Sequence, residues 1–109
     1  MRGLTCDAAA ALTRAIRVNF VNFTGVARVE SLEATPWASV TFSGARQTVA
    51  VELEGDGAEA AADRFLADLS EREFGLRGHI LADIALRCDA GRDGGARVRL
   101  ELEALTVEE

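Results

Sequence analysis

The feature that most constrains this sequence is a pair of alternating runs in its last third. Ile80, Ala82, Ile84, Leu86 and Cys88 alternate with His79, Leu81, Asp83, Ala85 and Arg87. Val98, Leu100, Leu102 and Ala104 alternate with Arg97, Arg99, Glu101 and Glu103. A period of two sends successive side chains to opposite faces of a strand. The segment between the runs, "DAGRDGG", is polar and glycine-rich, so the pair reads as a long antiparallel hairpin with one apolar face. That face must be covered by the rest of the chain.

The covering elements are legible upstream. Over residues 5–24, Leu12, Ile16, Phe20 and Phe23 recur at spacings of four, four and three, which places them on one helical face. Thr5 or Asp7 is the expected cap, and Gly25 the expected stop. Asn19 and Asn22 are weak helix formers, so this helix must lean on packing. Residues 56–74 predict a second helix capped by Asp56. Ala58, Ala62, Phe65 and Leu69 form its buried stripe, widened by Ala61 and Leu66, with Glu59, Asp63 and Arg64 facing outward.

Between the helices, residues 37–55 predict a shorter hairpin. Val40 and Phe42 share one face of its first strand, and Val49, Val51 and Leu53 share one face of its second. Ser43–Arg46 is the expected turn, with Gly44 suited to a type II′ loop. Residues 26–35, "VARVESLEAT", fit either a helical extension or a strand, and Pro36 is expected to end either.

The order helix, hairpin, helix, hairpin describes an α+β fold. Two αββ-like units form one mainly antiparallel four-stranded sheet, with both helices packed on one face, in a single domain spanning residues 1–109. The alternative counts residues 26–35 as a fifth strand.

Composition narrows the function classes. The chain has 109 residues and a formal net charge of -6, a field that repels phosphates and anionic lipid, so neither nucleic acid nor a membrane is an expected partner. All 12 basic residues are arginine, with no lysine and no tyrosine, a bias that GC-rich codons produce and that suggests a bacterial source. Cys6 and Cys88 lack CxxC companions and read as reduced cytosolic thiols rather than a disulfide. The N-terminal alanine run is broken by Asp7 and Arg14, too polar for a signal peptide, so a cytoplasmic location is expected.

Chemical motifs are sparse. His79 is the sole histidine, and parity sets it opposite Ile80, Ile84 and Leu86, away from the helices. Charge selects a hairpin register in which pair numbers sum to 182, with Asp83 facing Arg99 and His79 facing Glu103. A catalytic reading makes His79 a general base oriented by Glu103, with Ser39 as its hydroxyl (Thr41 shares that parity). The plainer reading is a surface histidine beside a glutamate. Asp83 lies roughly 13 Å along the strand and cannot touch it.

No zinc set exists, and Asp89 and Asp93 lack the calcium-loop spacing, so no metal and no cofactor is expected. Gly91, Gly94 and Gly95 do not open a helix after a strand, which rules out a phosphate-cradling loop. Arg14, Arg17 and Arg28 read as a solvated strip rather than an anion site.

Trp37, Leu81, Leu105 and Val107 fall by parity on the outer sheet face among charged residues, as in an interface core with a polar rim. The second hairpin, with strands of about ten residues against about seven, is expected to overhang the first by ~10 Å. The expectation is therefore a non-enzymatic interaction module, a homodimer using Trp37, Leu81, Leu105 and Val107. Binding of an unidentified protein or small ligand is the alternative, and a small hydrolase-type enzyme using His79 a more distant one.

Overall fold

The computed structural model describes residues 4–94 and 96–109, with side chains from residue 8 onward except at position 93. The elements run α1 (Leu4–Val18), β1 (Val26–Ala38), β2 (Ser43–Glu54), α2 (Ala58–Ala67), a 3-10 turn (Leu69–Glu71), β3 (His79–Asp93) and β4 (Arg97–Glu108). All strand pairs are antiparallel, in the order β1-β2-β4-β3. Each αββ unit thus supplies one edge strand and one central strand, and the two units meet at β2 and β4.

The helices cover one face. Val49, Val51 and Leu53 of β2 and Val98, Leu100 and Leu102 of β4 are completely buried against Leu12 and Ile16 of α1, Phe20 of the turn after it and Phe65 of α2. Ala58 and Ala62 of α2 are also fully buried, and their small side chains let the helix lie close to the sheet. Phe20, Phe65 and Phe74 join the two helical layers, with ring centroids 5.0 Å and 6.5 Å apart in sequence.

Both helices end earlier than their apolar periodicity extends. Helix α1 stops at Val18 because the Asn19 side chain turns back, its Nδ2 donating to the Ala15 and Ile16 carbonyls at 3.0 and 3.3 Å. Those are carbonyls that a helix end leaves orphaned. Phe20 and Phe23 still reach the core, but from a turn rather than a helix. Helix α2 begins after Gly57, which takes the left-handed conformation (φ 82°), so Asp56 is not its cap. It ends where Arg72 folds back to donate to the Arg64 and Phe65 carbonyls and to Asp68. The expected caps Thr5 and Asp7 lie outside the described side chains, as does Cys6 of the cysteine pair; Cys88 is free and exposed.

The first hairpin corrects the expected one. Of the two alternatives for residues 26–35, strand rather than helix is right, but it is not an additional fifth strand and Pro36 does not end it: these residues are most of β1, which runs through Pro36 to Ala38. Proline is tolerated because β1 is an edge strand, where a missing amide need not disturb a ladder. The turn is residues 39–42, not Ser43–Arg46. The Ser39 amide donates to the Phe42 carbonyl at 2.7 Å, and the Phe42 amide donates to Ser39 Oγ at 3.1 Å. Val40 and Phe42 therefore sit at an exposed tip rather than on a strand face. The strands of the two hairpins are of similar length, 13 and 12 residues against 15 and 12, so the expected overhang is absent.

The second hairpin carries the largest correction. Most of "DAGRDGG" belongs to β3, and the turn follows Asp93. Three irregularities, at Leu81/Asp83, Leu86/Cys88 and Asp89/Gly91, shift the register, so pair sums climb from 187 at His79–Glu108 to 190 at Asp93–Arg97. No single register of 182 exists. Each bulge inserts one residue and reverses parity beyond it.

Candidate functional site

The register defines the face that the helices leave open. Its rows, read from β1 across β2 and β4 to β3, begin at one end with Trp37, Gly44, Val107 and Ile80. The next row is Thr35, Arg46, Leu105 and Asp83. Further along lie Glu33, Thr48, Glu103 and Ala85, then Glu30, Ala50, Glu101 and Cys88. At the far end Arg28, Glu52 and Arg99 share a row, followed by Val26, Glu54 and Arg97.

The face is thus graded. One end gathers the apolar groups: Trp37, Leu105 and Val107 are half-buried, Ile80 is 51% exposed, and the adjoining turn presents Phe42 at 60% and Val40 fully to solvent, with exposed Arg46 and Asp83 on either side of Leu105. The Trp37 indole Nε1 is shielded and has no hydrogen-bond partner. The other end is an ion-pair lattice. Arg99 bonds Glu52 at 2.7 Å and reaches Glu101 at 3.5 Å, while Glu54 lies 3.4 Å from Arg97 and 3.8 Å from Arg28. The Glu52 hydrogen bond, more than the nearby charges, holds the Arg99 proton more tightly than in a free arginine.

Of the four expected interface residues, Trp37, Leu105 and Val107 are on this face. Leu81 is not: it pairs with buried Thr106 and packs against the core on the helix side. The bulge after Leu81 is the reason, since parity counted from Ile84 fails across it.

The same bulge moves His79. It lies on the helix side opposite Glu108, not on the open face opposite Glu103, which pairs with Ala85. His79 Nδ1 lies 3.1 Å from the Arg77 carbonyl, so this nitrogen is the donor, and Nε2 is shielded without a partner. Ser39 belongs to the turn on β1, three strand spacings or roughly 14 Å across the sheet from β3. The three catalytic candidates His79, Glu103 and Ser39 are not brought together, and Thr41 is in the same exposed turn as Ser39.

The remaining motifs resolve into packing. Arg92, on the helix face of β3, bridges Asp63 of α2 and Asp89, each at 2.9 Å, and those hydrogen bonds raise its affinity for its proton. Asp89 is thereby engaged by an arginine; the Asp93 side chain lies outside the description. Among the described residues no group of three or more His, Cys, Asp or Glu side chains is placed to hold a metal. Arg28 faces the open side near Glu54, whereas Arg17 donates to the Val29 carbonyl at 3.3 Å, so the arginine strip is divided. No described helix is long and apolar enough to cross a membrane.

One concavity lies on the helix side: a groove of about 570 Å³ between the segment after α1 and helix α2, floored by Phe20 and Phe65 and rimmed by Asn22, Arg64 and Arg72. Sequence reading placed both phenylalanines in the core but had no signal for the gap above them, which exists because α1 stops at Val18.

No protein-family model matches this chain, and no curated protein matches it significantly.

Proposed function

We propose that this chain is a non-enzymatic interaction module whose working form is a homodimer joined through the open face of its sheet. The observation that carries this reading is the apolar end of that face, where Trp37, Ile80, Leu105 and Val107 form one row and its neighbour beside an exposed turn. Apolar surface gathered in one place and bordered by charge is what an interface core with a polar rim looks like.

The sheet edges support face-on association. Edge β3 carries three bulges, and edge β1 carries a bulge after Ser31 as well as Pro36. Bulges and proline blunt an edge against adding further strands. Sedimentation across a wide concentration range tests the reading. The wild type forms dimers, and Trp37→Ala or Leu105→Glu shifts it towards monomer. A wild type that stays monomeric at high concentration overturns the proposal.

A second reading, a small-ligand site, is supported by the groove over Phe20 and Phe65. Asn22 and Arg64 on its rim can donate to a carboxylate, above Phe20 and Phe65, which are almost wholly buried, and beside Arg72, which Asp68 already holds. A thermal-shift screen of aromatic carboxylates checks it: a rise in Tm that Arg64→Ala removes supports it, and no shift across the set counts against it.

A further inference from the structure

We infer that the dimer's two-fold axis runs lengthwise along the strands, between β2 and β4, so that each residue of β2 meets its own β4 row-mate on the partner. This rests on the homodimer reading above. Shape does not choose the axis. A twisted sheet is a saddle, and a two-fold in the plane between two such saddles leaves an even gap whether it runs along the strands or across them. The side chains choose.

With the axis lengthwise, Glu52 meets Arg99 of the partner and Glu54 meets Arg97 of the partner, and the same contacts repeat by symmetry. Opposite charges therefore face each other four times. At the other end, Gly44, which has no side chain, meets Val107 of the partner, and Trp37 meets Ile80 of the partner. In the middle, the acids meet small residues: Glu103 meets Thr48 and Glu101 meets Ala50. Large faces small or acid faces base in every row of the central pair but one, where Arg46 meets Leu105 of the partner.

A crosswise axis reverses each strand onto itself. Val107 and Leu105 would then meet Arg97 and Arg99, Gly44 would meet Glu54, and Glu103 would meet Glu101, with Arg46 against Glu52 the one complementary pair. That arrangement buries apolar groups against arginines and sets acid on acid, which association disfavours. The available area is sufficient. Four strands spaced ~4.8 Å apart and twelve residues long offer a face of roughly 750 Å², close to the ~800 Å² per partner of stable complexes.

The exposed tip residue Val40 reports the axis without touching the interface rows. A spin label on Val40→Cys, with Cys6→Ser and Cys88→Ser, measures the tip-to-tip distance by pulsed dipolar spectroscopy. A lengthwise axis puts both tips at one end, roughly 20 Å apart from strand and sheet spacings. A crosswise axis puts them at opposite ends of a molecule 48 Å long, and a distance beyond about 40 Å overturns the inference while leaving the dimer intact. Loss of all dipolar signal, with monomeric sedimentation, removes the dimer itself.

A charge-swap pair gives an independent reading. Chains carrying Glu52→Arg and Glu54→Arg should stop self-associating. They should pair instead with chains carrying Arg97→Glu and Arg99→Glu. Equal self-association of both variants overturns the lengthwise axis.

Discussion

Gln47 Nε2 donates to Thr106 Oγ1 at 3.1 Å across the central strand pair, and Thr106 Oγ1 donates in turn to the Ala45 carbonyl at 3.3 Å. Both side chains are sealed under the helix layer, Gln47 at 1% exposure and Thr106 at 0%, and Gln47 Oε1 has no partner. Two substitutions of similar size should therefore behave oppositely. Thr106→Val strands the Gln47 amide donor and should cost about 1–3 kcal/mol. Gln47→Leu removes an orphaned oxygen and should be neutral or stabilising, because Thr106 keeps its bond to Ala45. Urea unfolding of the two variants checks the asymmetry.

Leu100 sits on β4 at the centre of the aliphatic layer, fully buried between the helices and the sheet. Leu100→Ala should lose about 2–5 kcal/mol with the urea m-value unchanged, since the same surface is exposed on unfolding.

Gly44 is placed where a Cβ would run into the Thr106 carbonyl and Val107 Cα of β4. Gly44→Ala should push the two central strands apart at their apolar end and destabilise by about 1–3 kcal/mol. The loss is read as a drop in Tm, and the Gly57→Ala variant, whose strain comes from a positive φ with open space around it, serves as a comparison.

Arg72 ties the end of α2 to the segment after α1: it bonds Asp68, Asn19 and two α2 carbonyls and lies over the Phe65 ring, 5.3 Å from its centroid. Lysine cannot reproduce that planar fork. Arg72→Lys should therefore recover little of the stability lost in Arg72→Ala. Amide exchange should report the loss first over residues 64–72.

The Glu52–Arg99 pair should contribute the same modest amount, about 0.2–1 kcal/mol for a part-exposed pair, at every ordinary pH above the carboxylate range. Arg99 has a raised pKa in the folded state, so its contribution is complete below the unfolded arginine value and is lost only as pH climbs past the folded one. A double-mutant cycle on Glu52 and Arg99 at about pH 6 and about pH 9 should give equal coupling. Added salt should reduce it at both.

The amino-acid pattern by itself determined the class of fold. Period-two runs can bury their apolar residues only as strands with one covered face, and the apolar stripes expected on residues 5–24 and 56–74 supply that cover, though the helices themselves are shorter. It also placed Leu105 and Val107 on the open side, because β4 runs without interruption from the buried Leu100 and Leu102 that set their parity. Trp37 is on that side too, although Val40 and Phe42, against which its parity is counted, lie in the turn and a bulge after Ser31 separates it from Val29. The buried Gln47 was signalled by its position two residues before Val49, in phase with Val51 and Leu53, but its polarity concealed it. Tertiary structure decided everything that depends on count along a strand. Where the first hairpin turns was settled by Ser39 closing on Phe42, a local bond that overrode the strand-like spacing of Val40 and Phe42. The sides occupied by His79 and Leu81 were settled by bulges in β3. A bulge leaves no fixed mark in composition, since it arises from the fit of one twisted strand against another, and a single inserted residue exchanges the two faces for everything beyond it.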